Sequence, residues 1–344
     1  MKILFFLSAL LITLNSSAQQ SPVDPALASL KKEKDTVMLN HKLAELQQGS
    51  DKNLSLLLSY YNATKNTIMA DQIITLAKKK FPKGEIAIAQ ARRTVYREPD
   101  AVQKEKLAEQ FKRDFPAEKF HSIDNSVAYS FAEEKNTAKA KLYLSAVKDP
   151  VYRPDAVYKV VKEIMKYDIS SADDLAFAEL ASAKSLIADQ SLTKELIKNQ
   201  RYDPMDGYQI ILKLYTDVLI KKENYNDALN YYEEYRKNQK NKGTYLDKRY
   251  TLLLSKNKRY KEAFPDLEKL AATGKADEQM KGELRMAFAA LNPGKNIEEY
   301  MLPFSSNLKE KYAEEAIKSV IREKSPNFTV TDVNGKNVSL QDYK

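Results

Sequence analysis

Apolar residues recur along most of this chain at spacings of three and four, broken by short polar joints. That is the period of helices that bury one stripe on a neighbour. Leu54, Leu57 and Tyr61 make one such stripe, and Ala70, Ile74 and Ala77 make the next. A longer period overlies the short one. Pro82, Pro116 and Pro150 stand thirty-four residues apart, and the first two share a Phe-Pro dipeptide. Counting back from each proline predicts the packing positions. They are Ala70, Ile74 and Ala77, then Ala108 and Phe111 (with Lys104 in place of a small residue), then Ala138, Leu142 and Ser145, with Tyr129 on the helix before.

Thirty-four residues is the length of a tetratricopeptide repeat, whose second helix gives way to a proline. Downstream, Tyr225-Asn226-Asp227-Ala228 leads into Tyr232 and Tyr235, and Tyr260-Lys261-Glu262-Ala263 leads into Leu267 and Leu270. Only a small residue such as Ala lets paired helices cross closely. Residues from about 50 to 275 therefore resemble a degenerate tetratricopeptide array, with no clear register between 155 and 205. The alternative is a non-repetitive bundle whose prolines coincide. The expected fold is all-α: tetratricopeptide-like antiparallel helix pairs in a curved array, with a short C-terminal β-hairpin. Asp71, Asp173 and Asp206 are expected near helix starts, with proline loops at 149–154 and 203–204. Leu291-Asn292-Pro293-Gly294 is the strongest breaker, and one or two more helices are expected from Ile297 to Glu323, interrupted at Pro303.

The two ends depart from this pattern. Lys2, the uncharged run Ile3 to Leu14 and the small polar stretch Asn15-Ser16-Ser17-Ala18 have the form of a cleaved export signal, with Gln19 as first mature residue. The run is too short to cross a bilayer core of about 30 Å as a helix. The expected layout is a signal peptide at 1–18, a helical domain at 19–323 and a different segment at 324–344. In that last segment Phe328, Val330 and Thr331 are β-favouring, Asn334-Gly335 is a hairpin signal, and Val338 and Leu340 return at period two.

Ser325-Pro326-Asn327-Phe328-Thr329-Val330-Thr331-Asp332, then Asn334-Gly335-Lys336, Val338-Ser339-Leu340 and Asp342-Tyr343-Lys344, resemble the opening of a redoxin domain of the TlpA/ResA and AhpC/TSA-like branch of the thioredoxin superfamily. The resemblance covers about twenty of the 344 residues. It implies a thiol–disulfide oxidoreductase, exported to the periplasm or cell envelope of a Gram-negative bacterium, with a helical N-terminal region used for recognition, dimerisation or positioning. It also implies a CxxC site, which no position here can supply, since the chain contains neither Cys nor Trp. Disulfide exchange needs a thiolate, so these residues alone are expected to be inactive.

Composition narrows the remaining chemistry. The net charge of +9 comes from 56 basic and 47 acidic residues interspersed throughout, which describes solvated helix faces better than a nucleic-acid surface. His41 and His121 are far apart in sequence, no phosphate-loop glycine cluster exists (Gly335-Lys336-Asn337 lacks the hydroxyl), and the pairs Asp173-Asp174, Glu233-Glu234 and Glu298-Glu299 read as solvated or first-turn charges. No catalytic, cofactor-binding or metal site is expected. The expected partner is a protein or peptide on the helices, not nucleic acid, with no integral membrane segment after signal cleavage. Tyr60, Tyr61, Tyr231, Tyr232 and Tyr235 could line a peptide surface, but packing with a wet hydroxyl is the preferred reading.

Overall fold

The computed structural model describes residues 24–200, 202–239, 247–304, 316–318 and 328–339. The expected export signal at 1–18 lies outside them, as do Ser325, Pro326, Asn327, Leu340 and Asp342 to Lys344. The fold is all-α, built of antiparallel helix pairs, with one two-stranded hairpin near the C-terminus. By its internal packing the chain divides into two compact units, Met1–Ala172 and Asp173–Lys344.

In the first unit, α1 (Pro25–Lys32) and α2 (Thr36–Gln48) precede three pairs: α3 (Asp51–Ala63) with α4 (Thr67–Lys80), α5 (Glu85–Arg97) with α6 (Ala101–Asp114), and α7 (His121–Glu133) with α8 (Thr137–Ala146). Helix α9 (Arg153–Ile164) follows, and the unit boundary falls early in α10 (Ile169–Ala188). First helices also pack on one another, α3 on α5, α5 on α7 and α7 on α9, so the pairs form a repeat-like stack. The second unit continues with α11 (Gln190–Gln200) and then pairs α12 (Pro204–Lys221) with α13 (Tyr225–Lys237), and α14 (Lys248–Lys256) with α15 (Tyr260–Ala272), followed by α16 (Glu278–Leu291).

Four of these pairs are joined almost without a loop. Lys65, Lys135, Glu223 and Lys258 adopt φ of 59°, 61°, 59° and 60°. In the first pair the Lys65 N–H bonds to the Asn62 carbonyl and the Asn66 N–H to the Tyr61 carbonyl, and the same two bonds close α7, α12 and α14. This left-handed closure satisfies carbonyls that a helix end leaves unpaired. The residue completing it also starts the next helix. Asn66, Asn136 and Asn224 accept the N–H groups of Met69, Lys139 and Asp227 at 3.2, 3.1 and 3.4 Å. Four residues beyond each joint stands a buried alanine, Ala70, Ala140, Ala228 or Ala263, where the two helices cross.

This register corrects one part of the proline-based frame. Leu54, Leu57, Tyr61, Ala70, Ala77, Ala108, Phe111, Ala228, Tyr232, Ala263, Leu267 and Leu270 are buried as expected, although Ile73 takes the fully buried place and Ile74 only flanks it. In the third pair Ala138 and Ser145 are exposed and Leu142 is 62 % exposed, while Ala140, Tyr143, Leu144 and Val147 are buried. The link between α6 and α7 is longer than the link between α4 and α5, so α8 lies two residues later than the prolines imply. Pro150 keeps the spacing by coincidence.

The three aspartates expected near helix starts lie within the first five residues of their helices, but none is the cap. Asp71 and Asp173 lie inside α4 and α10; the N-cap of α4 is Asn66, and Asp168 accepts the Ser171 N–H at 3.0 Å. Asp206 is in the first turn of α12, which Asp203 caps. Asn292 closes α16, Gly294 has φ +84°, and helix resumes over 297–304 without interruption at Pro303. Asp51 ties α3 to α5 by accepting the Glu85 N–H at 2.7 Å; a Cβ on Gly84 would lie 2.4 Å from that carboxylate, so a side chain there would push Asp51 out of this contact.

In the hairpin, Thr329–Thr331 (β1) pairs antiparallel with Asn337–Ser339 (β2), with Val330 opposite Val338. Its turn is wider than a two-residue Asn-Gly loop. Asp332 accepts the N–H groups of Asn334 and Lys336, both at 2.9 Å, and Gly335 takes φ +80°. Asn-Gly thus supplies the closing left-handed residue of a five-residue turn.

The left-handed joints yield a test. A side chain in that region costs roughly 1–2 kcal/mol. Lys65→Gly, Lys135→Gly, Glu223→Gly and Lys258→Gly should each stabilise the fold by about 0.5–1 kcal/mol after the added freedom of the unfolded glycine is counted. Lys135→Val should destabilise it, because a β-branched residue resists positive φ. Urea titration followed by circular dichroism reads both signs.

Candidate functional site

The first helices of the first unit carry the most developed surface feature. On α7, Ile123, Val127 and Phe131 face the core, so Ser122, Asn125, Ser126 and Tyr129, spaced at three and four, form a stripe on the opposite side. With Tyr96 of α5 and Lys159 of α9 they line an open groove of about 510 Å³. At Ser122 it meets a second hollow of about 370 Å³, walled by Arg92, Ala117, Glu118, Lys119, His121 and Tyr152.

The groove is polar and largely unspent. Asn125 Oδ1 is shut off from solvent with no hydrogen-bond partner, which leaves Nδ2 as the end of the amide offered to the groove. Tyr96 and Tyr152 are about half exposed, and Tyr152 stacks on His121 with ring centroids 4.0 Å apart. Arg92 donates to Glu118 at 2.6 Å and lies over the Phe111 ring. Burial, then the neighbouring carboxylates of Glu133 and Glu163, raise the Tyr129 hydroxyl above its ordinary value, and its proton is turned toward Glu133. The lining therefore presents donors and cations more than acceptors.

Behind the groove, the second helices hold a buried ionic network. Lys112 pairs with Asp124 at 2.7 Å, Lys139 with Glu105 at 2.6 Å, and the Tyr143 hydroxyl donates to Glu105 at 2.8 Å. Lys104, where a small residue was expected, is only 7 % exposed and donates to the buried Ser130 hydroxyl at 2.6 Å. Burial pushes its ammonium below the ordinary lysine value, against the pull of Glu133, Glu98 and Glu134. These groups hold helices together and do not line the groove.

The tyrosines singled out from sequence divide in the same way. Tyr61 and Tyr232 are buried, and Tyr60, Tyr231 and Tyr235 are half-buried among other rings. Tyr232 donates to Asp247 at 3.0 Å and the buried Tyr208 to Glu234. Glu233 accepts from Tyr250 and Arg259, Asp173 pairs with Lys222, and Glu298 with Arg285. Glu298 and Glu299 are exposed first-turn charges and Asp174 is exposed, as read from the sequence, while Asp173, Glu233 and Glu234 also take partners on other helices. His41 lies 3.6 Å from Glu45 on the exposed face of α2, remote from His121 on α7. Nothing in the sequence singled out Ser122, Asn125 or Ser126. Their spacing on a helix with a complete apolar stripe opposite is the signal that points to them.

Two expectations follow. Ser130→Ala should cost about 1–3 kcal/mol, because it strands the Lys104 ammonium. Adding Lys104→Met should bring stability back to within about 1 kcal/mol of the parent, since a buried polar pair replaced by apolar groups is close to neutral. Chemical denaturation of both variants decides it. The second expectation concerns alkali. Burial raises the hydroxyls of Tyr208, Tyr232 and Tyr300, and pushes Tyr215 up to about 12. Unfolded tyrosine ionises near about 10, so the protonated hydroxyls stabilise the fold below that pH. This contribution is lost as pH rises through the folded values. Helical ellipticity and tyrosinate absorbance should therefore change together above about pH 10; full ionisation before any loss of helix would contradict it.

Compared with known protein families and with curated proteins, the chain matches no family model and no curated protein.

Proposed function

We propose that these helices are the protein-recognising portion of an exported, periplasmic thiol–disulfide oxidoreductase of the TlpA kind, and that residues 328–339 are the first hairpin of its thioredoxin-like domain. The carrying observation is that hairpin. It follows the helices, and its turn is built on Asp332 and Gly335. Phe328 and Val330 remain 52 % and 54 % exposed. Two strands with exposed apolar side chains are marginal in water, and a larger sheet against them supplies the missing cover. On this reading the thiols lie C-terminal to Lys344, because none of the 344 residues is Cys.

A second reading, a non-enzymatic interaction scaffold, is favoured by the α5–α7–α9 groove, which lies on helices far in sequence from the hairpin. Both readings share a protein or peptide partner. Among the described residues no helix is long and apolar enough to cross a membrane.

The gene on the 3′ side of the Lys344 codon separates the two. A nearby Trp-Cys-x-x-Cys coding stretch, in frame or restored by one frameshift, supports the oxidoreductase. A stop codon with no such stretch in any frame overturns it and leaves the scaffold. The purified 344-residue chain should reduce no disulfide in the presence of a dithiol beyond the blank, since exchange proceeds only through a thiolate.

A further inference from the structure

The helical units could recognise many kinds of polypeptide; the groove narrows the choice. Resting on the reading of these helices as a protein-recognition array, we propose that the α5–α7–α9 groove binds an extended, acidic stretch of polypeptide. Three observations carry this.

The first is the lining's charge. Arg92, Lys119 and Lys159 line the two hollows with one carboxylate, Glu118, which Arg92 already engages, while Glu133 and Glu163 stand beside the Tyr129 hydroxyl and Glu163 is paired with Lys166. Lys119 and Lys159 are exposed and make no ion pair among the described residues. They stand in the two hollows that share Ser122, one in the α6–α7 link and one on α9, so a chain lying along both hollows passes each of them.

The second is hydrogen-bond polarity. Asn125 Nδ2 is the solvent-facing end of its amide, and the Ser122 and Ser126 hydroxyls lie within the same turn of α7. A floor of donors suits backbone carbonyls and side-chain carboxylates. The third is shape. Three first helices packed at about 8–10 Å spacing span roughly 16–20 Å from α5 to α9. At about 3.3 Å per residue that is the length of five or six extended residues. Tyr96, Tyr129 and Tyr152 flank the path and offer apolar ring faces to the methylenes of Glu side chains.

The test uses the whole chain and short fluorescein-labelled peptides of equal length built from Glu-Ser, Gln-Ser or Lys-Ser repeats, read by anisotropy at physiological salt. The Glu-Ser peptide should bind best. Lys159→Glu and Asn125→Asp should each weaken it about tenfold, as expected for a lost charge-assisted contact. Lys78→Glu, an exposed lysine on α4 outside the groove, should leave it unchanged, and circular dichroism of each variant reports its fold. Gln-Ser binding as tightly as Glu-Ser, with sensitivity to Asn125→Asp, would sink the acidic preference while keeping peptide recognition. No binding by any of the three would sink both. Equal sensitivity to Lys78→Glu, or equally tight binding of heparin, would reduce the effect to general attraction by a basic protein and overturn the site.

Discussion

Two antiparallel helices joined without a loop need one residue at positive φ, and the arrangement of the helical units follows from where that residue falls. Lys65, Lys135, Glu223 and Lys258 take this conformation although none is glycine. Each is held there by the two backbone bonds that close the preceding helix. Because the next residue immediately starts the second helix, its first buried position is set by counting forward four. Alanine at that position, as at Ala70, Ala140, Ala228 and Ala263, then allows the helices to approach. Closure, start and crossing are one local device. A pair built this way has almost no freedom in its crossing, so stacking one pair on the next repeats the same relation.

The alternation of first and second helices explains why, in the first unit, the groove runs along first helices while the ionic network centres on second helices. Second helices are pinned at both ends, by the joint and by the link to the next pair, and they bury Lys104, Glu105, Lys112 and Tyr143 against α7 and α8. Polar groups placed there lose much of their water and satisfy one another instead, Lys104 and Asp124 most completely. First helices pack on first helices, which leaves their outer stripe open. Hydroxyls on that stripe, as at Ser122 and Ser126, keep their water and need no internal partner, while the Asn125 Oδ1 is the one atom there that is closed off without one.

The helical class was legible because its signals are local. Apolar spacing, scarce glycine and the Tyr-x-x-Ala turns each reflect a single helix or joint, and those around Ala228 and Ala263 lay where they were read. The third pair was misread because proline reports the end of a helix, whereas register is set at its start. Asn66-Thr67 and Asn136-Thr137 carried the true phase, and the extra length of the α6–α7 link separates it from the spacing of Pro116 and Pro150. Lys104 was legible only as an exception, since its partner Ser130 lies on another helix. The groove was illegible for a related reason: it is assembled from three helices, and Ser, Asn and Ser on one of them look like any solvated face until the neighbouring tyrosines and lysine are in place.

Charge gives the last constraint. A chain with 56 basic and 47 acidic residues could spread its excess evenly, and then no surface would attract one partner over another. The ion pairs work against such evenness. They draw Glu105, Asp124, Glu233, Glu234 and Glu283 inward as partners of lysines, arginines, tyrosines and a serine. Asp124 and Glu283 are withdrawn from the surface in this way, Glu105 largely so, while Lys119 and Lys159 have no ion-pair partner among the described residues. The proposed preference for anionic partners would then be partly a product of how the core is built. A scaffold that spends its carboxylates on holding helices together leaves its cations for binding.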